Sequence, residues 1–73
     1  MQENLTDIEY EVLKYVVRGL SNSEVAKRMC ITEHTVKAHM TDIMLKLNVT
    51  SRTGATFVAL TQHLIKENDL YDN

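Results

Sequence analysis

Proline is absent from the chain, and glycine occurs only at positions 19 and 54. A sequence so poor in turn-formers leaves little scope for extended loops or turn-rich β structure. Cys30 is the one cysteine, so no internal disulfide can form, and a lone thiol suits a reducing cytoplasm. No apolar run approaches the roughly 18 residues that a membrane span needs. The start, Met1-Gln2-Glu3-Asn4, has neither the basic nor the apolar stretch of a signal peptide. Phosphate-cradling glycine loops and metal-ligand spacings are missing too. His34 and His39 stand five apart, off a shared helical face, and His63 is remote from both. These absences predict no catalytic group, no metal, no cofactor and no contact with a membrane.

What is present reads as a folded protein. With 44% hydrophobic and 25% charged residues, the 73-residue chain has the balance of an ordinary globular domain rather than a disordered one. Its length predicts one domain over 1–73, with a core over about 5–66 and a polar tail over 67–73. A domain this small buries roughly 60% of the surface of its unfolded chain, so its stability should be modest. The net charge of -2 argues against a polyanionic partner, but its distribution reverses the argument. All eight Lys and Arg lie between Lys14 and Lys66, where only Glu24, Glu33 and Asp42 join them. The other acids sit near the two ends. A partner feels the local field, screened beyond roughly 8 Å at physiological salt, and not the total.

Capping signals divide the chain into helices. Thr6 and Glu9 form a capping-box pattern, Ile8, Val12, Leu13, Val16 and Val17 follow at the spacing of one face, and Gly19 supplies a left-handed stop. The first helix is predicted over about 7–18. Ser21 and Glu24 repeat the box ahead of Val25, Ala26 and Met29, giving a second helix over about 22–29. After a tight Cys30-Ile31 connector, Thr32 caps a third helix over about 33–47, with Val36, Met40, Ile43, Met44 and Leu47 at spacings of three and four. Asn48, which tolerates the left-handed conformation, ends it. Val49 packs inward, and Thr50 or Ser51 caps a fourth helix over about 52–66, with Gly54 in its first turn. The tail from Glu67 is polar, apart from Leu70 and Tyr71, and is expected to fray. The fold class is all-α, a compact four-helix bundle.

A short helix, a connector of about three residues and a longer helix outline a helix-turn-helix. Its steep crossing needs a small residue at the contact, which Ala26 provides, and apolar residues flanking the turn, which Val25, Met29, Ile31 and Val36 provide. These segments resemble a known family. Leu5-Thr6-Asp7-Ile8-Glu9, Gly19-Leu20-Ser21-Asn22-Ser23-Glu24-Val25-Ala26, Ile31-Thr32-Glu33-His34-Thr35-Val36-Lys37-Ala38-His39, Ile43-Met44-Leu45-Lys46-Leu47 and Val49-Thr50-Ser51-Arg52-Thr53 look like the LuxR/GerE-type helix-turn-helix. The likeness covers about 5–60. It implies a four-helix bacterial transcription regulator, or the DNA-binding domain of one, whose third helix reads double-stranded DNA and whose fourth often pairs with a second copy. Three positions depart from the pattern: Ile8 for a usual arginine, Asn48 for a usual glycine, and Gly54 for a longer polar residue, which is expected to loosen the start of the fourth helix.

The third helix divides its faces. With Val36, Met40, Ile43 and Leu47 inward, Glu33, His34, Lys37, Ala38, Thr41 and Leu45 fall on or near the other side, and His39 at the boundary. Lys37, Ala38, Thr41 and His34 are the candidate base contacts: a lysine suits guanine O6 or N7, and small methyl groups suit a thymine methyl. Helix N-termini attract phosphate, so Ser21, Asn22, Thr32 and Thr35 are candidate anchors, joined by Lys27, Lys46 and Arg52. Thr32 is equally explained as a cap, and Arg52 as the partner of an acid in the first helix such as Glu9. On the fourth helix, Ala55, Val58, Ala59 and Gln62 form a stripe facing the bundle. Phe57, Leu60 and Leu64 form a second, which suggests a partner surface, a homodimer contact by the family resemblance; alternatively the helix is buried more broadly or covered by Leu70 and Tyr71. RNA polymerase is a further expected partner. The competing reading, favoured by the acidic total and the second apolar stripe, is a helix-turn-helix used as a protein adaptor or antagonist of another regulator.

Overall fold

In the computed structural model, which describes residues 5–71, four helices follow one another: α1 (Asp7–Val17), α2 (Asn22–Met29), α3 (Glu33–Leu47) and α4 (Arg52–Thr61), then a 3-10 turn over Glu67–Asp69. No strand is present among the described residues. Each helix starts on a hydroxyl. Thr6 Oγ1 accepts from the Glu9 N–H while the Thr6 N–H donates to Glu9 Oε1, at 3.2 and 2.9 Å. Ser21 and Glu24 close the same reciprocal box at 3.2 and 2.8 Å. Thr32 Oγ1 accepts from the Thr35 N–H, and Ser51, rather than Thr50, caps α4 by accepting from the Gly54 N–H. These bonds satisfy donors that a helix start otherwise leaves orphaned.

The helix ends repeat one device. Gly19, Cys30, Asn48 and His63 all have positive φ, at 94°, 58°, 57° and 54°. In each case the next N–H reaches back five residues: Leu20 to Tyr15 O, Ile31 to Ala26 O, Val49 to Met44 O and Leu64 to Ala59 O. This is the Schellman arrangement, and the residue after each left-handed position is apolar and packs against the core. Four reversals are thus made with one glycine and no proline.

The fourth reversal corrects an expectation. α4 stops at Thr61 and does not run on to about 66. In an unbroken helix Lys66 would follow the line of Ala55 and Ala59 into the core. The left-handed turn at His63 instead brings in Ile65, 4% exposed, and leaves Lys66 outside. Nor do residues 67–71 fray, the last two positions of the expected tail lying outside the described residues. Tyr10 Oη donates to Asp69 Oδ2 at 2.6 Å and accepts from the Lys66 N–H, while Arg18 Nε donates to Asp69 O. Leu70 packs against the core beside them.

The core is drawn from every helix: Val12, Leu13 and Val16 of α1, Val25 and Ala26 of α2, Val36, Met40, Ile43 and Leu47 of α3, Ala55 and Ala59 of α4, then Ile65. α3 packs against all three other helices, which fixes its inner face and so its outer one. The Cα radius of gyration of 11.2 Å matches the roughly 11 Å of a compact chain this long. Gly54 does not loosen α4: a Cβ there would lie 3.2 Å from Val49 Cβ, so the missing side chain is what lets Val49 pack closely.

Candidate nucleic-acid interface

Because Val36, Met40, Ile43 and Leu47 are buried, the 3.6-residue repeat turns His34, Lys37, Ala38, Thr41 and Leu45 outward, and all five are exposed. The four candidate base contacts therefore share one open face of α3. Glu33 and Asp42 flank it and His39 is half-buried at its edge. The Thr41 hydroxyl donates to Lys37 O within the helix at 3.1 Å, so what Thr41 offers outward is its methyl group. Beside this face runs a shallow groove lined by Asn22, Lys37, Thr41, Ser51 and Arg52, where the starts of α2 and α4 flank the middle of α3.

The candidate phosphate anchors are less uniform. Lys27 is exposed. Ser21 and Thr32 spend an acceptor on their caps, and Thr32 Oγ1 also lies 2.9 Å from Thr35 Oγ1. Arg52 does not pair with Glu9. Its Nη1 donates to Asn22 Oδ1 and its Nη2 to Leu20 O, both at 2.6 Å, tying the start of α4 to the turn that opens α2. Asn22 keeps its two amide donors.

Glu9 is paired with Lys46 instead, which reaches from the last turn of α3 to α1 and donates from Nζ to Glu9 Oε1 at 2.7 Å. Glu9 is 5% exposed, the only charged side chain buried among the described residues. Burial pushes its carboxyl upward, but the hydrogen bond from Lys46, the bond from the Thr6 N–H and the Lys46 charge together hold it below its ordinary value. The same carboxylate thus completes the α1 cap and anchors α3. Nothing local in the sequence signals the Arg52 and Lys46 pairings, whose partners lie about 30 or more positions away.

On α4, Phe57 and Leu60 stand open at 66% and 46% exposure. Leu64 leaves that stripe: it lies past the helix end, half-buried against the core. Gln62 is exposed and does not face the bundle, whereas Ala55 and Ala59 do. Tyr71 is exposed near Leu60, across a groove also lined by His63 and Leu70.

A helix-turn-helix of these proportions, with the outer face of its longer helix uncovered, meets a family model described as bacterial regulatory proteins, luxR family, over residues 3–59. The chain belongs to the luxR family. It is 43% identical over 61 residues to a nitrate/nitrite response regulator protein homolog of Haemophilus influenzae, covering 84% of this chain and 29% of that protein. It is 41% identical over 63 residues to the transcriptional regulatory protein LiaR of Bacillus subtilis, covering 86% of this chain and 30% of that one. Against the response regulator protein VraR of Staphylococcus aureus the identity is 41% over 66 residues, 90% of this chain and 32% of VraR. The chain thus spans under a third of the length of these relatives. As a luxR-family helix-turn-helix it is a DNA-binding domain of the transcription-regulator class. No described helix is long and apolar enough to cross a membrane, and no group of three metal-ligating side chains occurs among the described residues.

Proposed function

We propose that α3 enters the major groove of a bacterial regulatory site, with Lys37, Ala38, Thr41 and His34 at the base edges. The observation that carries this reading is the outward face of α3, where those four side chains stand together with no described element over them. Lys37 donates to a guanine, and the methyls of Ala38 and Thr41 approach thymine. The starts of α2 and α3 supply N–H groups to phosphates, helped by Ser21, Asn22, Thr32, Thr35 and Lys27. Arg52 and Lys46 act mainly by holding those elements in place, with what remains of their charge facing the backbone. Two copies bind a two-fold site through Phe57 and Leu60 of α4, with RNA polymerase as a further partner, in the cytoplasm.

Selecting duplexes from a random pool, then titrating salt, tests this. Affinity for the recovered duplex should fall steeply as salt rises. Lys37→Ala should weaken it about tenfold without altering the melting temperature, since Lys37 is exposed and makes no core contact. If the chain selects no duplex and instead binds only protein, the adaptor reading replaces this one. Lys46→Ala is a poor probe of DNA contact, because it also strands the Glu9 carboxylate.

A further inference from the structure

We propose that Leu45 is a base-reading residue that meets the methyl group of a thymine, an assignment that rests on the groove-reading role of α3 given above. Leu45 is 74% exposed, more than Phe57, Tyr71, Leu60 or Ile8. Its place on the helix is particular. At 100° per residue it points directly away from Val36, Met40, Ile43 and Leu47, on the line of His34, Ala38 and Thr41. The stripe reads, in order, an imidazole, a Cβ methyl, a Thr methyl whose hydroxyl is already bonded to Lys37 O, and a leucine.

The chemistry of that end of the stripe selects its partner. Leucine offers neither donor nor acceptor, and in the major groove the one apolar base-edge group is the thymine C5 methyl. A phosphate is disfavoured: Asp42, exposed three residues before Leu45, brings a negative charge, and the neighbouring Lys46 is turned inward onto Glu9. Ala38 and Leu45 are seven residues apart, about 10 Å of helix rise, or about three base-pair steps. The thymine that Leu45 meets lies within about that distance of the base pair facing Ala38.

The test uses the selected duplex with each thymine replaced in turn by deoxyuridine, which removes only the methyl. Wild-type chain should lose about fourfold in affinity at one such position within about three base pairs of the Ala38 contact. Leu45→Ala should bind the parent duplex about tenfold more weakly and be indifferent to that replacement, with an unchanged melting temperature. Leu45→Gln, which keeps the side-chain length, should show the same indifference and guards against a folding defect in the alanine variant. The proposal is overturned if both variants bind like wild type and keep its deoxyuridine profile. Should that happen while Lys37→Ala still weakens binding, groove reading stands and the Leu45 surface belongs to a protein contact. If no duplex is selected at all, both assignments fall together.

Discussion

Cys30 sits at φ 58°, ψ 41°, a conformation that costs a non-glycine residue about 1 kcal/mol or more. It is exposed, so its side chain recovers little of that through packing. Cys30→Gly relieves the strain while enlarging the freedom of the unfolded chain, and the two nearly offset. Urea denaturation should therefore show Cys30→Gly within about 1 kcal/mol of wild type, on the stabilising side, and Cys30→Val about 1–2 kcal/mol below it, because β-branching is least tolerated at positive φ. Lys46 is the sharper case. Lys46→Met removes the charge facing a buried carboxylate and should cost about 2–3 kcal/mol, short of the full penalty for a wholly buried pair because Lys46 keeps 21% exposure. The caps at Thr6 and Ser21 were legible from residue types three apart, since a capping box is a local pattern, and Thr32 from a lone hydroxyl just ahead of the apolar repeat. The partners of Lys46 and Arg52 were not, because a long polar side chain carries no mark of which distant acceptor it will meet.

At the scale of elements, α3 reads from its own sequence and α4 does not. Fifteen residues of α3 hold an apolar repeat that fixes the inner face, and so placed His34, Lys37, Ala38 and Thr41 outside before any tertiary contact was known. α4 stops at Thr61, two residues before the left-handed turn at His63, and histidine marks such a turn less clearly than glycine or asparagine, so burial of Ile65 helps to set the stop. Two links hold the elements in place. Arg52→Ala removes both bonds from α4 to the α1–α2 turn and should lower stability by about 1–2 kcal/mol, with faster amide exchange in the first turn of α2. Tyr10→Phe breaks the bonds to Asp69 and Lys66. It should cost about 1 kcal/mol and free the segment after Thr61 to proteolysis while α1–α3 stay protected. Burial and the bond to Asp69 both push the Tyr10 hydroxyl upward. A raised group stabilises fully below its unfolded value and loses that contribution as pH climbs through the folded one, so the same segment should loosen in wild type at strongly alkaline pH.

The whole molecule is small, and its acid limit should reflect Glu9. Its folded carboxyl lies below the ordinary value of 4.5, so its contribution is present above that pH and is lost as pH falls through the lower, folded value. Melting temperatures followed between pH 6 and pH 2 should drop on that limb, and Glu9→Gln should flatten it while lowering stability at neutral pH. Charge is also arranged at this scale: cations cluster in the middle of the chain and acids toward its ends, so an acidic protein can still present Lys37 to a polyanion. One division runs through the entire fold. The side chains of α3 that hold the bundle together and those that face outward are disjoint sets, and only backbone connects them. If the outer set reads bases as proposed, mutation can rewrite which sequences the domain prefers without first being filtered by whether it folds, so that duplicated copies are free to acquire separate targets on an unchanged scaffold.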